Sequence, residues 1–165
     1  GGVQLMTLGS GAEHSEQNGS KTEPMEFLQL WILPDTPSLP PAIQQRQFPK
    51  KERTDRFLKV IGPATSDPVR VHQDAAVYVS FLSPGIAVRH DFGSARGGYL
   101  YLIEGRARVG AEELATGDAT KIQDESQLHI EAKEASELIL VDVPLRFTPV
   151  GVWGRASGRA REGVT

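Results

Sequence analysis

Short strand-like runs, separated by turn residues at close intervals between Arg56 and Pro144, constrain the fold of this chain most. The runs are rich in β-branched, aromatic and leucine residues, and Gly, Pro, Asp and Ser cluster between them. They are Phe57–Ile61, Val69–Val71, Ala76–Leu82, Ile86–Phe92, Tyr99–Ile103, Arg106–Val109, Ala119–Ile122, Gln127–Ala132 and Glu137–Val143. Short strands at a spacing of about 8–12 residues are typical of an all-β sandwich or barrel.

Two of these runs indicate where the core lies. In Gln127–Ala132, Leu128 and Ile130 alternate with polar residues, and alternate residues of a strand point to opposite faces of a sheet. Leu138–Val141 is apolar on both faces, which predicts a central strand with packing on either side. The core residues predicted for the barrel are Val77, Val79, Leu128 and Ile130. We therefore predict a closed or nearly closed antiparallel barrel.

A proline-rich stretch divides the chain. Thr36–Pro49 holds Pro37, Pro40, Pro41 and Pro49, and charged residues follow it. Prolines stiffen a connector and end strands, so this stretch is the predicted boundary between two units. The predicted divisions are a first unit at 1–35, a linker at 36–55, the barrel at 56–144 and a solvated tail at 145–165, with Val150, Val152 and Trp153 available to pin its first part.

Composition excludes several classes of function. The chain of 165 residues has no cysteine, which rules out disulfides, zinc fingers, iron–sulfur clusters and cysteine nucleophiles. Its net charge of -3 carries no basic bias, so we expect no direct contact with nucleic acid. No apolar run approaches the roughly 18 residues that a membrane span needs, so no membrane partner is expected. The lack of cysteine also fits a cytoplasmic protein, which is the location we expect.

Three of the four histidines have ordinary structural interpretations. His129 lies on the polar face of its run, and His72 lies on the same side as Arg70, so both are predicted to face outward. His90 shares a face with Phe92 that points to the core, which predicts a buried histidine with satisfied hydrogen bonds rather than a ligand. No second histidine lies two residues from any of the four.

The fourth histidine has a carboxylate two residues away. His14 and Glu16 would point to the same face of an extended strand, about 6.5 Å apart along the chain. An imidazole and a carboxylate at that spacing can hold one divalent transition metal. The spacing alone is a weak signal, because a metal site also needs at least one more protein ligand and the chain offers no obvious candidate.

Several motifs together carry a resemblance to a known family. Val3–Glu16 resembles the signature of the pirin and pirin-like quercetin dioxygenase family, and Pro24–Ile32 is similar to the Leu-Gln-Ile-Trp strand of that family. Gln45–Pro49 resembles the family's linker, while Val71–Ala75 and Val141–Pro144 match its second barrel. Leu8, in place of alanine, and Ile43-Gln44, in place of Tyr-Glu, are mild departures from the family pattern.

The resemblance implies a specific architecture and metal site. The family fold is a bicupin, two β-barrels in tandem, and its first barrel binds one metal, usually iron, through three histidines and one glutamate. His14 and Glu16 match the last two ligands. The first two form a His-x-His motif that precedes this region, so we expect a partial N-terminal cupin, a complete C-terminal cupin, and in this chain alone weak metal binding or none. Asp91 and Gly93 stand at the ligand positions of the second barrel, which is expected to hold no metal.

The function that the resemblance implies is the ring-opening dioxygenation of flavonol-type phenols. Glu16 is then expected to serve as a ligand and as the base for a phenolic hydroxyl. Phe27, Gln29 and Trp31 alternate along one run and are expected either to line the substrate pocket or to pack in the core. One alternative is a pirin-type binding module, a metal-dependent partner of transcription regulators without turnover. The other is an inactive structural fragment. An incomplete first barrel is also expected to self-associate, or to be covered by Leu145–Trp153.

Overall fold

The computed structural model describes residues 1–9 and 11–148. Strands are the main regular secondary structure in this part of the chain, which has one short 3-10 helix at Lys50–Glu52. The strands are β1 Gly2–Thr7, β2 Ala42–Gln47, β3 Leu58–Ile61, β4 Ala76–Leu82, β5 Ala87–Asp91, β6 Arg96–Glu104, β7 Arg106–Val109, β8 Glu112–Ala115, β9 Ala119–Ile122, β10 Gln127–Ala132 and β11 Ser136–Pro144. The prediction of an all-β chain is therefore confirmed.

Two antiparallel sheets form the barrel that follows the proline-rich stretch. One sheet has the order β3-β4-β11-β6-β9 and the other has the order β5-β10-β7-β8. Strand β11 lies between β4 and β6, with Leu140 opposite Tyr78 on one side and Leu100 on the other. The run that is apolar on both faces is thus a central strand, as predicted. The two sheets give the jelly-roll barrel that the resemblance implies.

The two faces of the five-stranded sheet bury different clusters. Leu138 and Leu140 face the barrel interior, where they pack with Leu128 and Ile130 from the other sheet. The alternation predicted for β10 is confirmed, because Leu128 and Ile130 are buried and the residues between them are polar. Val77 and Val79 belong instead to a cluster on the outer face of the sheet, together with Val60 and Val69. The prediction that they lie in the barrel interior was wrong. Alternate residues of β4 face opposite sides of the sheet, and it is Tyr78, between them, that packs against the interior cluster.

The outer cluster is covered by residues from the first part of the chain. Val3 and Leu5 of β1, together with Ile32 and Phe48, pack against it. Strand β2 pairs with β1 in antiparallel register, with Leu5 opposite Gln44. Gln44 also fastens this pair to the barrel, since its amide nitrogen donates to the Arg70 carbonyl at 2.7 Å and its amide oxygen accepts from the Arg70 N–H at 2.9 Å.

Several local predictions need correction. The proline-rich stretch contains a strand, β2, so 36–55 is not simply a linker. Residues 27–33 carry no strand, although their sequence is strand-like, because no neighbouring strand pairs with them in the described residues. Residues 69–71 form only an isolated bridge, Gly62 to Arg70. Strand β8 was not predicted from the sequence.

The domain boundaries at 35, 55 and 144 remain predictions, as does self-association. The predicted tail begins inside the described residues, where the Leu145 N–H donates to the Ala95 carbonyl at 2.9 Å. Val150, Val152 and Trp153, which were expected to pin the tail, lie outside the described residues.

Candidate metal and ligand site

An open cavity of about 1550 Å³ lies between the first part of the chain and the outer face of the five-stranded sheet. We call it the apolar cavity, because aliphatic and aromatic side chains dominate its lining. Strand β1 forms one wall and residues 25–34 form another. The sheet contributes β-branched side chains such as Val77, Val79 and Ile139 at the base. The cavity is therefore large enough for a multi-ring aromatic ligand.

The three predicted pocket residues all line this cavity. Phe27 and Trp31 are 61% and 78% exposed, so they do not pack in a core. Of the two sequence interpretations, the structure therefore favours lining over core packing, and a role in binding stays a prediction. Gln29 lies between the two rings along the chain and is also exposed. The three side chains offer two aromatic surfaces and one amide.

His14 lines the cavity, and Glu16 lies close to His14. The distance between His14 Nε2 and Glu16 Oε1 is 4.0 Å, and the two side chains are 35% and 44% exposed. Metal–nitrogen and metal–oxygen bonds of 2.0–2.2 Å allow two ligand atoms of one zinc-like ion to be at most about 4.3 Å apart. That limit applies to ligands on opposite sides of the ion, whereas adjacent ligand atoms of a tetrahedral or octahedral ion lie about 3.0–3.5 Å apart. The two side chains would therefore have to approach each other slightly to share one ion in either geometry.

A third ligand is not found in the described part of the chain. No group of three or more His, Cys, Asp or Glu side chains that could hold a metal occurs there. His72, which was predicted to face outward, is half-buried and lines the same cavity, so that prediction was wrong. It does not form such a group with His14 and Glu16. That His14 and Glu16 are metal ligands therefore stays a prediction.

The two residues assigned to the ligand positions of the second barrel do not face its interior. Asp91 is exposed and pairs with Arg89 at 3.2 Å, and Gly93 is also exposed. The inward positions are held by His90 and Phe92. The assignment of the ligand positions was wrong by one residue. The inward side of β5 is the side of Val88 and His90, and the exposed side is that of Ala87 and Asp91. That the second barrel holds no metal stays a prediction.

His90 is a buried histidine with a satisfied hydrogen bond, as predicted. Its Nε2 lies 2.8 Å from Asp142 Oδ2, and the other oxygen of this carboxylate accepts from Arg96 Nε at 2.6 Å. Arg96 Nη1 also donates to Asp74 Oδ1 at 2.7 Å. We call His90, Asp142, Arg96 and Asp74 the ionic cluster. The sequence analysis missed it, although Asp142 shares the inward side of β11 with Leu140 and this pattern could have revealed it.

Hydrogen bonding fixes the charge state within the ionic cluster. Burial raises the pKa of Asp142, but hydrogen bonds from His90 and Arg96 outweigh that effect and hold the pKa below its usual range. Burial lowers the pKa of Arg96, and the hydrogen bonds to Asp142 and Asp74 overcome it, so the net pKa is raised. Asp142 is therefore a carboxylate and Arg96 a cation at neutral pH.

Aromatic rings surround the His90 imidazole. The ring centroids of Phe57, Tyr78 and Phe92 lie 5.8, 4.7 and 4.8 Å from it, all in edge-on arrangements. Edge-to-face contacts at these distances are the favoured geometry for aromatic pairs. Burial also raises the pKa of the Tyr78 hydroxyl. The position is thus packed by rings and a carboxylate, so His90 serves as a structural partner within the barrel.

Comparison with known proteins places these observations in a family. Residues 60–143 match the family model of the quercetinase C-terminal cupin domain. The quercetin 2,3-dioxygenase of Escherichia coli K12 is 30% identical over 145 residues, and the match covers 87% of this chain and 62% of that protein. A pirin-like protein of Caulobacter vibrioides is 33% identical over 144 residues, covering 86% and 62%. The chain thus spans about three fifths of these relatives.

A solved structure agrees with the sequence comparison. The bacterial pirin YhhW of Escherichia coli, determined in complex with nickel(II), superposes with a TM-score of 0.64 and 27% identity. The superposition covers 73% of this chain and 49% of that one. Among the described residues there is no helix with the length and apolar character that crossing a membrane requires.

Proposed function

The chain belongs to the pirin family of cupin proteins, and from that membership we propose that it serves the metal-dependent dioxygenation of flavonol-type phenols at the apolar cavity. His14 and Glu16 are the proposed metal ligands. The observation that carries the proposal is their 4.0 Å approach at the border of a cavity lined by Phe27 and Trp31. Relatives named quercetin 2,3-dioxygenase support the substrate class.

The donor set fits a catalytic metal rather than a structural one. Two exposed ligands leave open positions in the coordination sphere, and open positions are what catalytic sites keep. Imidazole and carboxylate together suit iron(II), cobalt, nickel and zinc, and we propose iron because non-haem oxygenases combine these two ligand types. The nickel(II) complex of the bacterial pirin YhhW supports the choice of a divalent transition metal.

The residues of this chain have separable roles in the proposed reaction. A divalent metal bound there supplies Lewis acidity for the adjacent oxygens of the phenol. Glu16 is placed to accept the proton of a phenolic hydroxyl, because its carboxylate is exposed beside His14. Phe27 and Trp31 offer faces on which flavonol rings can stack, and Gln29 offers an amide to a substrate hydroxyl.

Equilibrium dialysis against Fe²⁺ under argon, followed by quercetin conversion in air, tests the proposal. We expect His14→Ala and Glu16→Gln to weaken metal retention by at least about tenfold each, since each removes one of two protein ligands. His129→Ala is the matched control, because His129 is exposed on the outer side of β10. Equal retention in His14→Ala and His129→Ala would contradict the proposed ligands.

The same assay separates the two rival functions. Metal retention that depends on His14, without quercetin conversion, supports a pirin-type binding module. A chain that retains no metal under any condition supports a structural role for these residues.

A further inference from the structure

A short loop joins the second barrel to the wall of the apolar cavity. This loop, residues 72–75, precedes β4, and we call it the connector loop. The Gln73 amide nitrogen donates to the Leu33 carbonyl at 2.7 Å. The Asp35 N–H donates to the His72 carbonyl at 2.8 Å. Both bonds hold the end of the segment that carries Trp31.

These two contacts attach the segment to the barrel. Within the described residues, they are the only hydrogen bonds between residues 11–41 and residues 48–148. Residues 27–33 carry no strand, so no sheet ladder holds them in place. Besides the packing of Ile32 against the outer cluster, the connector loop therefore provides the hydrogen bonds that set the position of this cavity wall.

The connector loop is in turn fastened by the ionic cluster. Arg96 Nη1 donates to the Asp74 carboxylate at 2.7 Å, and Arg96 Nη2 contacts the Asp74 carbonyl at 3.5 Å. The same guanidinium is fixed from inside by Asp142 Oδ1 at 2.6 Å and by the Asp142 carbonyl at 3.2 Å. His90 holds the second oxygen of the Asp142 carboxylate. These successive contacts connect the barrel interior to the cavity wall.

We propose that the ionic cluster of the second barrel positions the 33–35 wall of the apolar cavity, with Arg96, Asp74 and Gln73 as positioning residues. Asp74 is 63% exposed, and an isolated surface ion pair of that kind contributes little. Arg96 is different because Asp142 has already fixed the planar guanidinium, so Asp74 meets a preorganised partner. The cavity that the ionic cluster positions is the site of the proposed function, so this inference rests on that function.

The cluster thereby gives the second barrel a role in the site of the first part of the chain. His90 is hydrogen-bonded to Asp142 in the barrel interior, and Asp142 in turn fixes Arg96, whose guanidinium reaches the surface. Gln73 completes the path, since its amide oxygen accepts from the Asp74 N–H at 2.8 Å while its nitrogen holds Leu33.

Amide hydrogen exchange at Asp35 tests the inference without metal or substrate. In Asp74→Asn we expect the Asp35 amide to exchange about fivefold faster, while amides of β11 keep their native rates. Asp74→Glu retains a carboxylate and should restore much of the protection. Asp91→Asn is the matched control, because Asp91 is 55% exposed and pairs with Arg89 at 3.2 Å away from the connector loop.

Two results would overturn the inference. One is equal Asp35 exchange in Asp74→Asn and Asp91→Asn, which would show that the loop holds its place without Arg96. The other is equal acceleration at Asp35 and in β11, which would show that Asp74 only stabilises the barrel. A failure of quercetin conversion in the wild-type chain would count against the proposed function and leave this exchange result intact.

Discussion

Replacing Asp142 should destabilise the barrel strongly, because one carboxylate serves two partners there. Its oxygens lie 2.8 Å from His90 Nε2 and 2.6 Å from Arg96 Nε, and its side chain is 7% exposed. Removing one member of a buried pair costs about 3–5 kcal/mol. The Arg96 side chain keeps 19% exposure, which lets water compensate in part, so we expect about 3 kcal/mol for Asp142→Ala. That corresponds to a fall in Tm of roughly 6–12 °C.

The pH dependence gives this prediction its direction. The folded state holds the pKa of Asp142 below its usual range. The stabilisation from this group is therefore fully present above the unfolded-state pKa of about 3.9, and it is lost as the pH falls through the lower folded-state pKa. Asp142→Asn cannot titrate, so its stability deficit relative to the wild type should be constant above about pH 5 and shrink below about pH 4.

Urea denaturation followed by circular dichroism between pH 3 and 7 measures both effects. A double-mutant cycle with Arg96→Met isolates the pair, and we expect a coupling of about 2 kcal/mol at pH 7. The reasoning is refuted if the deficit of Asp142→Asn is as large at pH 3 as at pH 7. It is also refuted if the two substitutions are additive, since the geometry places their side chains in direct contact.

Other substitutions test the packing and the cavity. Leu140→Ala should cost about 3–5 kcal/mol in urea denaturation, because Leu140 is fully buried, and a loss below about 1 kcal/mol would mean that the interior can collapse around the gap. Gly105→Ala should lower the Tm more than Gly110→Ala. Both glycines have positive φ, but only at Gly105 would the added Cβ meet the Ala135 carbonyl. Equal melting temperatures of the two variants would contradict this. Trp31→Ala should change stability by no more than about 0.5 kcal/mol at 78% exposure, yet weaken quercetin binding measured by fluorescence titration, and unchanged affinity would remove Trp31 from the site.

Most of the barrel strands could be predicted from local sequence patterns. The bounds of β7, β9 and β10 match the predicted runs, because period-two alternation and flanking turn residues are local properties that survive in the folded chain. The central position of β11 could be predicted for the same reason, since a strand with apolar residues on both faces must be covered on both. His14 and Glu16 approach each other as neighbours in sequence, but not on the extended strand that the spacing assumed, because residues 11–20 carry no strand.

Which segments pair with one another depends on contacts between distant parts of the chain. Strand β2 forms inside a proline-rich stretch because β1, about 40 residues earlier in the chain, offers it a ladder of hydrogen bonds, while the more strand-like residues 27–33 have no such neighbour. The ionic cluster joins β5, β6 and β11 with the connector loop, and each of its members looks ordinary in its own run. Strand pairing and buried ion pairs are made between residues distant in sequence, so their formation depends on the packing of the whole barrel and not on any local pattern.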